Sequence, residues 1–235
     1  MVKEITYGST ASDGFIYPES DGQPMADNTL QYEWIVKIKE NLEMLFAAIQ
    51  DIFIAGDLLW YPIKGSQKSC APDVMVVFGR PKGYRGSYIQ HLEGNIAPQV
   101  VFEILSPSND KAEMDLKRDF YEKYGVEEYY LYDPLKNNLQ GWTRSKNRLV
   151  PITKINGWIS PRLKIRFALT TTLEIYRPDG RLFLTPVEID LERQLEKQRA
   201  ESAEQRAEFA EQQAELECQR YQELLKQLQE RGIEL

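Results

Sequence analysis

Three runs, Ala71-Pro72-Asp73-Val74-Met75-Val76-Val77-Phe78, Val100-Val101-Phe102-Glu103-Ile104-Leu105-Ser106 and Tyr129-Tyr130-Leu131-Tyr132-Asp133-Pro134, decide how this chain folds. Each is short, rich in Val, Ile or aromatic residues, and bounded by Gly or Pro, which predicts strands of a buried sheet. The first two carry one carboxylate each. Alternation along a strand puts Asp73 on a face with Met75 and Val77, and Glu103 on a face with Val101 and Leu105. The linker between them holds Gly79, Gly83, Gly86 and Gly94 with Pro81 and Pro98, turn chemistry that suits a long hairpin. Asp73 and Glu103 are equidistant from its midpoint at Tyr88, so antiparallel pairing without a bulge sets the two acids opposite each other, Cβ atoms about 5 Å apart. Carboxylates that close repel unless they share a proton or a cation.

Ser106-Pro107-Ser108-Asn109-Asp110 is a cluster of capping residues, and the helix expected after it runs to about Tyr124, where Gly125 stops it. Its apolar stripe is Met114, Phe120, Tyr121 and Tyr124, with Lys117 in the middle. A lysine aimed at a core costs several kcal/mol unless an anion receives it. Asp73 and Glu103 are the nearest anions, which makes Asp73, Glu103 and Lys117 a candidate constellation. Three plainer readings compete: Asp73 as a strand-start residue, Glu103 paired with an arginine, and Lys117 laying its stem along the apolar face with its ammonium in water.

Pro72-Asp73, then Val-Phe-Glu-Ile-Leu-Ser-Pro-Ser-Asn from Val101, then Asp115, Lys117 and Tyr121 ahead of Gly125-Val126-Glu127-Glu128-Tyr129-Tyr130-Leu131-Tyr132-Asp133-Pro134, resemble the Uma-type family of the PD-(D/E)xK nuclease superfamily. The likeness spans about Thr29 to Pro186. It implies an α/β, restriction endonuclease-like mixed β-sheet flanked by helices, a divalent-metal site and hydrolysis of phosphodiester bonds in DNA. Asp73 matches the first acid and Glu103 the second. Leu105 stands where the usual lysine comes after the second acid, and Lys117 on the next helix looks like the displaced lysine. The resemblance thus implies Mg²⁺ or Mn²⁺ on Asp73 and Glu103, with Lys117 orienting the attacking water or stabilising charge at phosphorus. The alternative is a catalytically weak or inactive nuclease-fold scaffold that binds nucleic acid or a protein partner.

Working outward, residues 1–27 read as an irregular arm rich in Ser, Asp, Gly and Pro, residues 28–187 as the core domain, and residues 188–235 as a C-terminal helix with a possible coiled coil. Leu30, Trp34, Ile38, Leu42, Leu45 and Ile49 recur at helical spacing, so Thr29 to Gln50 is expected as an amphipathic helix. Glu40 and Glu43 on it are weak extra metal candidates outside the main site. Asp51 to Tyr61 is expected as the first strand, bent at Gly56-Asp57. Lys64 and Lys68 lie in a polar link that could approach a phosphate. His91 is expected as a surface loop residue, and Cys70 and Cys218 lie in different kinds of segment, suggesting neither a disulfide framework nor a cysteine metal site.

From Pro134 to Leu173 there is no Asp or Glu, while Lys136, Arg144, Lys146, Arg148, Lys154, Arg162, Lys164 and Arg166 occur beside Trp142 and Trp158. Strands around Leu139–Thr143, Leu149–Ile152 and Leu163–Phe167 would display these cations on one layer. Arg144, Lys146 and Arg148 are the candidate nucleic-acid contacts; the alternative is a solvated sheet edge whose cations discourage aggregation.

The chain carries −7, of which the stretch from Glu188 onward, with 13 acidic against 7 basic residues, holds −6. The acidity therefore belongs to the tail and does not exclude a nucleic-acid partner for the rest. In that tail a seven-residue repeat lines up Ala200, Ala207, Ala214, Tyr221 and Leu228, with Ala203, Ala210 and Leu224 beside them and Phe209 and Leu216 on a neighbouring stripe. A helix that self-associates or packs on a partner is expected in preference to a lone solvated helix, with a homodimer formed through the core or through this helix. The start of the chain lacks a signal-peptide pattern and no run of 18 apolar residues occurs, so a cytoplasmic protein without a membrane span is expected.

Overall fold

The computed structural model describes residues 8–10 and 14–230. They fall into two units, Met1–Thr185 and Pro186–Leu235.

In the first unit, β1 (Gly8–Thr10) and β2 (Ile16–Pro18) pair antiparallel. The segment expected as an irregular arm therefore contributes a hairpin, because Tyr17 is fully buried beside Leu59, Tyr61 and Ile89. Helix α1 (Thr29–Leu45) starts at Asn28, whose side chain accepts from the Gln31 N–H, and it ends five residues before the expected Gln50. Then come β3 (Ile52–Gly56), β4 (Trp60–Tyr61), β5 (Val74–Phe78) and β6 (Tyr88–Ile89). The break between β3 and β4 falls at Asp57, which takes a left-handed φ of 48°. The long hairpin linker is not pure turn: β6 adds to β4 in a parallel pair and runs into a 3-10 turn at Gln90–Leu92. His91 in that turn is half-buried, its ring centroid 5.8 Å from Tyr17, in place of the expected surface position.

Strand β7 (Val100–Ile104), helix α2 (Lys111–Tyr124) and β8 (Glu128–Asp133) come next. Asp110 caps the start of α2 by accepting from the Glu113 N–H at 2.8 Å, and Gly125 ends it in the left-handed conformation at φ 101°. The remaining strands are β9 (Asn138–Ser145), β10 (Arg148–Pro151), β11 (Arg166–Leu169) and β12 (Leu173–Tyr176).

The main sheet has the order β10-β9-β8-β7-β5-β3 and is mixed: β7 and β8 run parallel, the other neighbours antiparallel. Parallel β7 and β8 require a crossover, which α2 supplies. One face of the sheet, through Ile54, Val74, Val76 and Phe102, packs on Trp34, Ile35, Ile38 and Leu42 of α1. The other, through Met75, Val77, Val101 and Tyr129, packs on Met114 and Tyr121 of α2. Parity along each strand thus decides which helix a side chain meets.

The basic residues after Pro134 do not share one layer. β9 and β10 extend the main sheet, but β11 pairs with β12 in a separate sheet, because Leu163, Ile165 and Phe167 are drawn into the core on the α1 side.

The second unit is α3 (Pro186–Glu230), a 45-residue helix. Leu191, Leu195, Phe209, Leu216 and Tyr221 are exposed on it. The side chains of Leu224 and Leu228, part of the expected seam, lie outside the described residues. Among the described residues no helix is long and apolar enough to cross a membrane.

Candidate active site

The β5–β7 ladder pairs Val74 with Phe102, and one further step puts Asp73 opposite Glu103. The β3–β5 ladder pairs Gly56 with Val74, so its next step sets Asp57 beside Asp73. The Asp57 N–H donates to the carbonyls of Pro72 at 3.1 Å and Asp73 at 3.3 Å, which fixes that neighbourhood. Three carboxylates from three adjacent strands thus line one row across the sheet. All three share parity with the apolar residues that face α2.

From α2, Lys117 reaches down to this row. Its Nζ donates to Glu103 Oε2 at 2.8 Å, and the Tyr121 hydroxyl, one turn further along the helix, donates to Glu103 Oε1. Lys117 and Tyr121 are four residues apart and so lie on one helical face. Glu103 is only 2% exposed and Asp73 7%. Asp73 Oδ2 accepts from the Ile104 N–H at 2.6 Å. The Cys70 thiol lies 3.2 Å from the Tyr121 hydroxyl.

Burial, and then the Glu103 charge, push the Asp73 carboxyl well above the ordinary aspartate range, although the Ile104 N–H and Lys117 oppose them. Asp57 is raised to about 6, by burial first and then by Asp21, with Lys117 opposing and Glu103 adding. For Lys117 burial favours the neutral amine, but the Glu103 carboxylate outweighs it, and the ammonium is held above its usual value. Lys117 therefore stays a cation. Burial pushes the Cys70 thiol up to about 12, so at neutral pH it is neither thiolate nor nucleophile.

One lysine faces three carboxylates, and that imbalance describes what the site would accept. Among the described residues no group of three or more His, Cys, Asp or Glu side chains is arranged as a ready metal cage. Asp73 and Glu103 nevertheless suit a small hard cation of the Mg²⁺ type, which takes one or two carboxylates and completes its shell with water and substrate phosphate. Such a cation would relieve the repulsion that raises Asp73.

The site opens beside α2. A cavity of ≈ 390 Å³ is lined by Lys117, Cys70, Lys68, Phe120 and Tyr124 among others, so Lys68 from the polar link flanks Lys117. Glu40 and Glu43 are elsewhere: α1 packs on the opposite face of the sheet, and these acids pair with Lys39 at 2.9 Å and Lys82 at 3.2 Å.

The three expected nucleic-acid contacts are not brought to the acids. Glu103 pairs with Leu131, which pairs with Gln140, whereas Arg144 is four residues further along β9, about 13 Å away along the strand. Arg144 is also anchored. Its guanidinium donates to the carbonyls of Val126 and Glu122 at 2.7 Å each and of Tyr121 at 3.3 Å, tying down the end of α2. Lys146 and Arg148 are exposed in and beside the β9–β10 turn.

Two members of the site are hidden in the sequence: Asp57 reads as a bend, and the Tyr121 hydroxyl is submerged in an apolar stripe. The signal for Asp57 is its parity with Phe53 and Ala55 at the end of a strand. Nothing local to Tyr121 marks its hydroxyl as the partner of an acid 18 residues upstream.

The family model described as "Uma2: Putative restriction endonuclease" matches residues 12–174. Among solved structures, a crystal structure of "a putative nuclease belonging to DUF820 from Anabaena variabilis ATCC 29413" is similar at 14% identity and a TM-score of 0.42, covering 63% of this chain and 78% of that one. No curated protein matches. With the family model covering well over half of its residues, the chain belongs to the Uma2 family.

Proposed function

We propose that this protein is a metal-dependent endonuclease that hydrolyses phosphodiester bonds in DNA, with Asp73, Glu103 and Lys117 as its catalytic residues. The observation that carries the reading is the Lys117–Glu103 pair at 2.8 Å, set in a buried row of carboxylates. Mg²⁺ or Mn²⁺ on Asp73 and Glu103 would supply a Lewis acid for the phosphate and lower the pKa of a bound water. Asp57 stands beside them as a third carboxylate.

The Glu103 carboxylate favours the charged form of Lys117, which suits it to stabilise negative charge building on the phosphoryl oxygens. Tyr121 and Lys117 hold Glu103 by both oxygens, which fixes the orientation of that carboxylate. Lys117 reaches from α2 the place that the usual lysine would reach from position 105. Leu105 instead faces the apolar side under α2.

The test is cleavage of supercoiled and linear DNA with Mg²⁺ or Mn²⁺ by the wild type, Asp73→Ala and Lys117→Ala. We expect metal-dependent cleavage that falls at least 100-fold in both variants. Cleavage unchanged in Asp73→Ala would identify a contaminating nuclease and reject the proposal. Leu105 favours a second reading, a nuclease-fold scaffold that binds nucleic acid without cutting it. Salt-sensitive binding with no cleavage, lost when Lys146 and Arg148 are neutralised, would select it.

A further inference from the structure

The row that begins at Asp57, Asp73 and Glu103 continues through Leu131 to Gln140 on β9. There, Asn138, Gln140 and Trp142 alternate onto the face that α2 covers. Between that face and the outer side of α2 lies a cavity of ≈ 360 Å³, lined by Leu105, Met114, Arg118, Gln140 and Trp142 among others. We propose that this cleft receives one unpaired nucleobase of the strand whose phosphate sits at Glu103. The inference rests on the nuclease reading and extends it to the form of the substrate.

The chemistry of the walls selects a neutral heterocycle. The cations at the rim are already matched: Lys111 and Arg118 both pair with Asp115, at 2.6 and 2.9 Å, and Lys136 pairs with Asp133 at 3.1 Å. Asp110 also lines the cleft, so three carboxylates balance the three cations and no net positive charge is left to favour a phosphate. The side-chain amides of Asn138 and Gln140 are exposed and make no hydrogen bond among the described residues. Paired donor and acceptor groups of that kind are what complement the edge of a base. Trp142 is half-buried and lies stacked on Tyr129, ring centroids 5.0 Å apart and 18° from parallel. Such a stack is rigid and offers an aromatic surface to a base. Tyr129, which also lines the cavity, keeps its hydroxyl buried without a hydrogen-bond partner among the described residues. A buried hydroxyl in that state is unusual and is satisfied by a polar ligand or water.

Position completes the argument. Gln140 stands two strand spacings from Glu103, about 10 Å, close enough for a base of the same strand whose phosphate lies at the acids. The cleft is roofed by Met114 and Arg118 of α2, and a base that enters beneath them has to leave its stack and its pairing partner. Single-stranded DNA, or a flap or melted end, presents bases in that way.

The test uses the full-length protein and dye-labelled oligodeoxynucleotides of about twelve nucleotides. The set comprises the four homopolymers, an abasic strand of equal charge, and a duplex. Binding is read by fluorescence anisotropy without divalent metal, for the wild type and for Asn138→Ala/Gln140→Ala, with thermal melting as the control for folding. The wild type is expected to bind at least one homopolymer about tenfold more tightly than the abasic strand, and the double variant to lose that margin while its abasic affinity holds. Equal affinity of wild type for abasic and base-bearing strands, or a base preference untouched in the double variant, would overturn the proposal. Plasmid cleavage is read separately: a wild type that cleaves with metal but shows no base preference rejects the cleft alone, and a wild type that shows the preference but does not cleave rejects the nuclease reading alone.

Discussion

Lys117 is held by one carboxylate and in turn holds it, so its replacement exposes two effects that can be measured apart. Lys117→Ala leaves Glu103 buried with Tyr121 as its one remaining side-chain donor among the described residues. A broken buried pair costs about 3–5 kcal/mol, and with Lys117 22% exposed the loss should fall toward about 2–3 kcal/mol. Thermal or urea melting would show it. Tyr121→Phe removes one hydrogen bond to a charged group and should cost about 1.5–3 kcal/mol by the same measurement; an unchanged melting point would mean the hydroxyl does not hold Glu103. At this scale the sequence is informative where a ladder runs without a bulge. The equal distances of Asp73 and Glu103 from Tyr88 translate directly into the observed register. It is uninformative where a contact is non-local, as with the hydroxyl of Tyr121, or where a strand ends in a left-handed residue, as at Asp57.

Helix α2 carries the lysine, so whatever fixes that helix fixes the site. Asp110 caps its start, Gly125 its end, and Arg144 crosses from β9 to bind the last carbonyls. A cation at a helix C-terminus is favourable both as a hydrogen-bond donor and through the helix dipole. Arg144→Ala should therefore lower stability by about 1–3 kcal/mol, whereas Arg148→Ala should stay within about 0.5 kcal/mol. Equal melting points for the two variants would refute the capping role. Sequence alone places Arg144 among nucleic-acid contacts because a run of cations without acids looks alike whether its members face solvent or cap a neighbour. The carbonyls it caps belong to α2 and its exit, 18 or more residues away. By contrast, the start and stop of α2 itself are legible, because Asp110 and Gly125 act on their own backbone. The opposite faces occupied by α1 and α2 are not, and this is why Glu40 and Glu43 remain candidates until the sheet separates them from the acids.

Charge is unevenly distributed along the molecule. The residues from Glu188 to Leu235 hold −6 of the net −7, while the first unit is close to neutral. On α3, Leu195, Phe209 and Leu216 fall on one stripe at multiples of seven residues and are all at least half exposed. Burying large apolar side chains contributes about 1.5–3 kcal/mol each, and the alanine seam beside them contributes less. Sedimentation at rising concentration should show self-association of the wild type that is abolished in Phe209→Glu/Leu216→Glu. A monomer at all concentrations would confine the apolar stripe to another partner. The seven-residue period is plain in the sequence, since it is local; which stripe has the bulk to hold a partner becomes clear only when the helix is seen with those residues uncovered.

The most direct test of the account is the count of Mn²⁺ ions bound, read by electron paramagnetic resonance on the full-length protein, wild type against Asp73→Ala. The carboxylate row predicts at least one bound ion in the wild type and its loss in the variant; equal binding by the two proteins would contradict it.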